Sequence, residues 1–291
     1  MADRPDDLDM RSMMPPKDEL RTQIDAWLTE DIGRLDITTE FLIPADAKAE
    51  FVINTRDEIV LCGMEIAAEV FRHHVPDCRF DIVLQDGTRA APGSTLGRVQ
   101  GPARGLLTAE RTALNLLQLL TGIATLTSKY AALVEGSGAT LIDTRKTIPG
   151  YRALSKYAAV VGGARNHRIR LDDGVLIKDN HIAAAGSLTA TVERAQRATP
   201  ALTVIEVECD TLEQVAEAAA SKVDMILLDN MEASMMKQAV EIVAGRCRIE
   251  CSGGVRLDTV REKAETGVDF ISSGRMTQSS AAVDIGLDFL D

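Results

Sequence analysis

Four apolar, strand-like runs in the second half of the chain end in polar residues at a nearly constant spacing. Their terminal residues are Glu208, Asp229, Ser252 and Ser273, so the successive steps are 21, 23 and 21 residues. That step is the combined length of one strand, one helix and their connections. A chain built on this repeat is restricted to folds in which helices cover a parallel sheet.

Six such runs alternate with helical segments after residue 138. They cover residues 139–146, 175–180, 202–208, 223–230, 247–254 and 268–275. Each run begins with apolar, often β-branched residues, which is typical of a strand buried on both faces. In a closed parallel barrel all of these strands end at one rim, where the active site lies. An open, doubly wound sheet would gather the strand ends along a crevice. The even spacing and the lack of a dinucleotide-binding fingerprint favour the barrel.

The first hundred residues have a different pattern, with short strand-like runs separated by turn residues such as Ala91-Pro92-Gly93. This pattern predicts a small α+β domain with an antiparallel sheet. We therefore predict four segments: a loose tail, an N-terminal α/β domain, a barrel opened by a long helix, and a C-terminal segment that packs on the N-terminal domain. Their ranges are 1–18, 19–108, 109–275 and 276–291.

Composition disfavours several classes of function. The chain has 44 acidic against 32 basic residues, a net charge of −12 and 3% aromatic residues, which argues against a nucleic-acid partner. Its five cysteines are scattered without a C-x-x-C pair, so we expect neither a disulfide framework nor a structural zinc site. The N-terminus lacks the apolar core of a signal peptide, and the uncharged run 112–128 is too polar for a membrane span. We therefore expect a cytoplasmic protein with no membrane partner.

A basic island lies in this acidic chain between residues 141 and 182. It holds eight cationic residues against four acids, and its cations are Arg145, Lys146, Arg152, Lys156, Arg165, Arg168, Arg170 and Lys178. Arg145, Lys146 and Lys178 follow strand-like runs, which places them at the predicted rim. Guanidinium forks and ammonium groups bind carboxylates and phosphates. The island therefore predicts a site for a small polyanion, and the alternative is a solvated basic face.

Carboxylates end the next two strands. Glu206 and Glu208 lie on one face of the same strand, with Glu206 expected one layer deeper, and Asp229 ends the following strand. Carboxylates opposite a cationic rim can hold sugar hydroxyls or Mg²⁺. They can also serve as ion-pair partners of the basic island, and the two interpretations are compatible.

Small residues end the last two strands. The segments Ser252-Gly253-Gly254 and Ser273-Gly274-Arg275 each follow a strand and precede a helix, so their peptide N–H groups can surround a phosphate. In barrels the loops after the last two strands commonly bind phosphate. Together with the cations and the acids, these segments indicate a phosphoribosyl donor that meets an anionic acceptor.

Arg111 lies beside Glu110 at the start of the long apolar helix. A cation near a helix N-terminus gains nothing from the helix dipole. Arg111 therefore has either a binding role or a salt bridge with Glu110.

Eight strings of the chain stand in an order that is similar to one known family. They are EDIGRLDITT (30–39), AERTALNLLQLLTGIAT (109–125), DTRKTIPGYRALSKYA (143–158), NHRIRLDDGVLIKDNHI (166–182), EVE (206–208), LDNM (228–231), CSGGV (251–255) and GVDFISSGRMTQS (267–279). The strings resemble the quinolinate phosphoribosyltransferase family over nearly the whole chain. Mild departures are Ala164, where a glycine is frequent, and Gln278, where a histidine is common.

The resemblance implies an N-terminal α/β sandwich followed by an irregular, incomplete TIM-like α/β barrel. It also implies transfer of the phosphoribosyl group of phosphoribosyl pyrophosphate to quinolinate, with decarboxylation. The implied products are nicotinate mononucleotide, pyrophosphate and CO₂, and the implied metal is Mg²⁺. This reaction is a step of de novo NAD synthesis.

The resemblance further implies roles for individual residues. The residues implied to bind the quinolinate carboxylates are Arg145, His167, Arg168 and Lys178, with Arg111 supplied by the other subunit of a homodimer. Those implied to lie near the pyrophosphate are Thr144, Lys146 and Lys178. Glu208 and Asp229 would hold ribose hydroxyls and, directly or through water, Mg²⁺. The 5′-phosphate would bind Ser252, Gly253, Gly254, Ser273, Gly274 and Arg275. The implied catalytic residues are Lys146, Lys178, Glu208 and Asp229.

Three alternatives stay open at this point. A related phosphoribosyltransferase-like protein, such as the homologue linked to molybdenum transport, would use a different acceptor. A nicotinate-using phosphoribosyltransferase would need a reactive histidine and ATP. A non-catalytic anion-binding protein would need Glu208 and Asp229 to be merely structural.

Overall fold

The computed structural model of the protein describes residues 14–290. A loose tail is predicted over residues 1–18, and its residues 1–13 lie outside the described residues. The first helix begins at Lys17. The described chain divides into two compact units, which we name the N-terminal unit and the barrel unit. The N-terminal unit contains residues 14–128, 153–162 and 280–290, and the barrel unit contains residues 129–152 and 163–279.

The described residues form twelve strands and eleven helices. The strands are β1 (Lys48–Thr55), β2 (Ile59–Val60), β3 (Arg79–Ile82), β4 (Arg89–Ala90), β5 (Thr95–Pro102), β6 (Thr140–Ile142), β7 (Val175–Ile177), β8 (Ile205–Cys209), β9 (Met225–Asp229), β10 (Arg248–Ser252), β11 (Phe270–Ser272) and β12 (Ile285–Phe289). The helices are α1 (Lys17–Ile32), α2 (Ile37–Leu42), α3 (Met64–His74), α4 (Ala103–Val134), α5 (Arg152–Val161), α6 (Asp179–Ala185), α7 (Leu188–Ala198), α8 (Leu212–Ala220), α9 (Ala233–Val243), α10 (Val260–Ala264) and α11 (Arg275–Gln278).

An antiparallel sheet with the order β12-β1-β5-β3 is the centre of the N-terminal unit. Phe51 of β1 lies opposite Phe289 of β12, and their rings pack edge to face with centroids 5.8 Å apart. Helix α3 buries Val70 and Phe71 completely. Gly97 of β5 allows this packing, because a Cβ there would lie 2.7 Å from Cε of Met64. The antiparallel sheet predicted from the first hundred residues is therefore present.

The last strand of the chain completes this sheet. Nε2 of Gln118 on α4 donates a hydrogen bond of 2.7 Å to the carbonyl oxygen of Ile285. A Cβ at Gly122, one turn further along α4, would collide with the carbonyl oxygen of Ala281. Glycine is therefore required at this position for the C-terminal segment to lie against α4.

Helix α4 contains the uncharged run 112–128 that the sequence predicts to be a buried helix. It buries Leu117 and Leu120, and the hydroxyl of Thr121 donates a hydrogen bond of 3.0 Å to the carbonyl oxygen of Cys62. Within residues 14–290, no helix combines the length and the apolar character needed to cross a membrane.

The barrel unit is built on a parallel sheet with the order β6-β11-β10-β9-β8-β7. Strands β7 to β11 are neighbours in chain order, and β6 pairs with β11, so the first strand of the unit lies beside the last. A further parallel bridge joins Ile142, at the end of β6, to Arg165. This circular order with six strands, where a complete barrel has eight, confirms the predicted incomplete TIM-like barrel.

Two helices of the barrel unit, α7 and α8, begin at side-chain caps. Ser187 caps α7 by accepting a hydrogen bond from the N–H of Ala190, and Thr211 forms a capping box with Gln214 at the start of α8. Such caps satisfy peptide N–H groups that have no partner within the helix. The strands themselves bury Val207, Ile226 and the residues around them, so only the strand ends carry polar groups to the surface.

Candidate functional site: an anion-binding cavity at the barrel rim

A cavity of about 470 Å³ opens at the carboxyl ends of the parallel strands. It brings together every predicted site residue except Arg111. Those residues are Thr144, Arg145, Lys146, His167, Arg168, Lys178, Glu208, Asp229, Ser252, Gly253, Gly254, Ser273, Gly274 and Arg275. The convergence follows from the fold, because parallel strands of a barrel all end at one rim.

Arg111 does not line this cavity in the described chain. It lies on α4, and its side chain is 56% exposed. The nearest oxygen of Glu110 is 3.9 Å from its guanidinium. An exposed pair at that separation contributes little to stability, so the salt bridge does not explain why an arginine occupies this position.

The segment after β6 is tied to the segment around His167 by one buried carboxylate. Asp143 is completely buried and accepts hydrogen bonds from Nδ2 of Asn166, at 2.7 Å, and from the N–H of His167, at 2.8 Å. In the sequence, Asp143 is one of the four acids of the basic island. Its position as the first polar residue after a buried strand was the signal for a structural role.

Lys146 is held by its main chain, which leaves the ammonium group free to reach the cavity. Its N–H donates to Oγ1 of Thr144 at 3.0 Å, and its carbonyl oxygen accepts from Oγ1 of Thr277 at 2.8 Å. The neighbouring Arg145 has a buried Nε without a hydrogen-bond partner in residues 14–290. A buried donor of this kind costs free energy unless a ligand or water satisfies it.

Lys178, which follows β7, forms a close ion pair with Glu208 of β8. The lysine side chain is 44% exposed, whereas that of Glu208 is 13% exposed. Asp229, at the end of β9, accepts a hydrogen bond of 2.7 Å from Nδ2 of Asn230. Glu208 is therefore an ion-pair partner of the basic island, as one interpretation predicted, and it lines the cavity as the other requires.

His167 is positioned by two buried glutamates. Its Nε2 lies 3.0 Å from Oε2 of Glu206 and 3.4 Å from Oε2 of Glu250. Burial alone would lower the pKa of His167, but the hydrogen bonds and charges of the two glutamates raise that pKa to about 10. Burial raises the pKa of Glu206, against the opposing effect of His167, and the charge of Glu250 raises it further.

Arg168 adds a second guanidinium beside Arg145. Its Nη1 donates a hydrogen bond of 2.9 Å to the carbonyl oxygen of Gly174. Burial lowers the pKa of Arg168, and the charge of Arg145 lowers it further. The two cations therefore repel each other, and an anion bound between them would relieve this repulsion.

Glycines form another part of the cavity lining, which we name the glycine wall. Gly253 and Gly254 have φ angles of +78° and +62°, in the left-handed region that side chains disfavour. A Cβ at Gly253 would collide with Oδ1 of Asn230, and a Cβ at Gly274 would lie 2.8 Å from Cδ of Lys146. This space, bounded by peptide groups, suits a phosphate.

Several lining residues were not predicted. They are Leu176, Leu227, Glu250, Val255, Ser272 and Gln278. Gln278 is the position at which the resembled family commonly has histidine, so this departure lies in the cavity. Sequence position alone could not place Gln278 there, because it follows the last predicted strand by several residues.

The fold and the cavity define an α/β-barrel protein with an anion-binding site at the carboxyl ends of its strands. Family profiles agree with this class. The N-terminal domain of quinolinate phosphoribosyl transferase matches residues 36–121, and the C-terminal domain of the same enzyme matches residues 123–288. The chain belongs to the quinolinate phosphoribosyl transferase family.

Individual relatives are similar over nearly their full length. The nicotinate-nucleotide pyrophosphorylase (carboxylating) of Mycobacterium leprae is 43% identical over 279 residues, which is 93% of this chain and 97% of the relative. The crystal structure of NadC from Streptococcus pyogenes has a TM-score of 0.91 at 36% identity and covers 95% of this chain and 99% of its own. The nicotinate-nucleotide pyrophosphorylase of Francisella tularensis has a TM-score of 0.91 at 36% identity, with 95% and 98% covered.

The glycine wall gives a prediction about stability. Gly253→Ala should lower the free energy of unfolding by about 1–3 kcal/mol, because the new Cβ collides with Asn230 in a left-handed conformation. Gly254→Ala is the matched control, since its Cβ would meet its nearest atom only at 3.9 Å and should cost about 1 kcal/mol. Urea-induced unfolding measures both losses. Equal losses of the free energy of unfolding in the two variants would show that Asn230 moves aside and does not fix the loop.

Proposed function

We propose that this chain transfers the phosphoribosyl group of phosphoribosyl pyrophosphate to quinolinate, with release of pyrophosphate and CO₂, to give nicotinate mononucleotide. Membership of the family over nearly the whole chain supports this reaction. The observation that carries it is the composition of one cavity, which is lined by a group of cations, by carboxylates and by a group of glycines.

The acceptor half of the site is the cationic wall. We assign the two carboxylates of quinolinate to Arg145, Arg168 and Lys178, with His167 at the same wall. The buried Nε of Arg145 has no partner in the described residues, which suits a carboxylate bound bidentately by the guanidinium. A dianion bound here would satisfy this donor and reduce the repulsion between Arg145 and Arg168.

The donor half of the site is the glycine wall and the carboxylates beside it. We assign the 5′-phosphate to the segments Ser252–Gly254 and Ser273–Arg275 and the pyrophosphate to Thr144, Lys146 and Lys178. The carboxylates of Glu208 and Asp229 are acceptors for the ribose hydroxyls. Both assignments match the chemistry of the groups that line each part of the cavity.

Mg²⁺ fits this site as an ion that is shared with the donor. Glu208 and Asp229 line the cavity, but two carboxylates are too few for a complete protein cage. Mg²⁺ commonly combines one or two carboxylates with substrate phosphates and water. When bound, the ion would offset the negative charge of the pyrophosphate leaving group.

The residues of the cavity promote the reaction by position and charge. As the pyridine nitrogen attacks C1′ of ribose, the bond from C1′ to pyrophosphate breaks, and Lys146 and Lys178 stabilise the departing anion. The carboxylates of Glu208 and Asp229 stabilise the positive charge that develops on the ribose ring. The bond from C2 to its carboxylate then breaks, its electron pair stays at C2 beside the cationic nitrogen, and C2 takes up a proton.

Cys251 is poorly suited to act as a covalent nucleophile at this site. Cys251, next to the glycine wall, is 1% exposed, and burial raises the pKa of its thiol to about 11. A protonated, inaccessible thiol is not a nucleophile. We therefore propose direct displacement without an enzyme-bound intermediate.

A turnover assay tests the proposed reaction. Purified protein with quinolinate, phosphoribosyl pyrophosphate and Mg²⁺ should release CO₂ and nicotinate mononucleotide in equal amounts. Removal of Mg²⁺ with EDTA should abolish turnover, and its return should restore it. Nicotinate offered in place of quinolinate is the control and should give no product. Binding of phosphoribosyl pyrophosphate without turnover of quinolinate would instead support a relative with a different acceptor.

Substitution of Arg145 tests the division of the cavity into two halves. Arg145→Ala should raise KM for quinolinate by about 100-fold, corresponding to the loss of about 3 kcal/mol of charged hydrogen bonds. KM for phosphoribosyl pyrophosphate should change by less than about threefold. Arg165→Ala, which removes an exposed cation of the same island outside this cavity, is the control for net charge. Equal increases in both KM values would contradict the assignment.

We further propose a cytoplasmic homodimer in which Arg111 serves the cavity of the partner subunit. The guanidinium of Arg111 is more than half exposed, and its pairing with Glu110 is weak. The five cysteines are all free thiols, which suits a reducing compartment.

Mixed dimers test the role of Arg111. At a quinolinate concentration near the wild-type KM, Arg111→Ala and Arg145→Ala should each be nearly inactive alone. If each site combines one subunit's Arg145 with the other's Arg111, an equal mixture refolded together should recover about one quarter of wild-type turnover, because half of the dimers are mixed and half of their sites are intact. No recovery, with dimers present by light scattering, would show that both arginines act within one chain.

A further inference from the structure

Two buried glutamates lie beneath the acceptor half of the cavity. Glu206 of β8 and Glu250 of β10 are 2% and 1% exposed, and they are separated in the sheet by β9. One oxygen from each carboxylate and one nitrogen of His167 all lie within 4.8 Å of one another. Neither glutamate has a role in the proposed reaction.

Buried carboxylates need a cationic partner. Moving an ionised carboxylate out of water costs several kcal/mol unless it is paired and hydrogen-bonded. Oε1 of Glu206 and Oε2 of Glu250 have no hydrogen-bond partner in residues 14–290. The imidazole of His167 reaches both carboxylates through Nε2, at 3.0 and 3.4 Å.

Other charged groups near His167 favour different states of the ring. Asp143, after β6, accepts a hydrogen bond from the main-chain N–H of His167. Arg168 is adjacent in sequence and Arg145 lies on the same wall, and both cations disfavour a third positive charge. The N–H of Arg168 also lies 2.8 Å from Nδ1, a contact that suits an unprotonated Nδ1.

Magnitudes decide between these effects. A hydrogen bond between neutral groups contributes about 1 kcal/mol, whereas one between charged groups contributes about 1.5–3 kcal/mol. The charged hydrogen bond to Glu206, together with the nearby charge of Glu250, therefore outweighs the single contact of Nδ1 with the Arg168 N–H. The same balance accounts for the raised pKa of His167.

We propose that Glu206 and Glu250 are positioning residues that keep the His167 imidazole protonated and fixed in orientation at the wall of the acceptor site. An ordinary histidine, with a pKa near 6.5, would lose most of its charge by pH 7.5. The protonated His167, held by the two glutamates, is then a third fixed cation of the site beside Arg145 and Arg168. We expect this cation to bind an aromatic dicarboxylate, and this expectation rests on the proposed function.

Titration of the ring by NMR tests the proposal without any substrate. The chain has four histidines, and the resonances of His167 are identified by their loss in His167→Gln. In the wild-type protein their positions should remain those of a protonated ring between about pH 6 and pH 8.5. In the double variant Glu206→Gln with Glu250→Gln, they should titrate with a midpoint close to the ordinary value of about 6.5. Glutamine keeps the size of the side chain and removes only its charge.

Two outcomes would overturn the proposal. One is a wild-type ring that titrates near its ordinary value, a result that does not depend on the folding of the double variant. The other is a double variant whose ring still does not titrate in this range. Glu241→Gln, which removes an exposed carboxylate on α9, is the control for net charge and should leave the titration of His167 unchanged.

Quinolinate binding provides a second readout. Relative to wild type, the double variant should bind quinolinate about tenfold more weakly at pH 7.5 than at pH 5.5, because only about a tenth of its His167 would be protonated at the higher pH. A loss of affinity that is equal at both pH values would indicate a merely structural role and overturn the proposal. If wild-type protein does not bind quinolinate at all, the proposed function fails, while the NMR titration still decides the state of His167.

Discussion

The pairing of β6 with β11 is the contact on which the site depends. It places the first strand of the barrel unit beside the last, so that residues far apart in sequence share one rim. The cations then come from the segments after β6 and β7, the carboxylates from β8 and β9, and the glycine wall from the loops after β10 and β11. Without this pairing the same side chains would lie along an open edge and could not surround one ligand.

Buried carboxylates position and partly neutralise the cationic wall. Asp143 connects the end of β6 to the segment around His167, and Glu206 and Glu250 hold the imidazole itself. Cations that face the same cavity repel one another, as the effect of Arg145 on the pKa of Arg168 shows. Acids beneath the wall reduce this repulsion, and their burial makes the interaction stronger than it would be in water.

The barrel and most of the cavity could be predicted from the sequence because strand spacing and strand-end residues are local features. The step of 21 to 23 residues indicated the repeated unit, and the polar ends of the runs indicated the rim. Glu250 could not be assigned in this way, and neither could the partners of Asp143. Their roles depend on which side of a strand faces the barrel interior and on which distant segment it meets there, and neither is encoded within a few residues.

Gln278 shows the same limit at the rim. It lines the cavity because α11 follows β11 directly and turns back beside the segment after β6, where Oγ1 of Thr277 donates to the carbonyl oxygen of Lys146. That hydrogen bond joins residues 131 positions apart. A pattern read along the sequence has no means of finding it.

The ion pair of Lys178 with Glu208 explains how an acid and a base can serve the same donor. In this structure each satisfies the other's charge, so neither is left unpaired in a partly buried site. A phosphoribosyl donor that binds as proposed offers pyrophosphate oxygens to the lysine and ribose hydroxyls to the glutamate. The exchange replaces one set of charged hydrogen bonds with another, and so its net cost is small even though each charge is partly desolvated. Substrate binding can therefore use both residues without first exposing an unpaired charge.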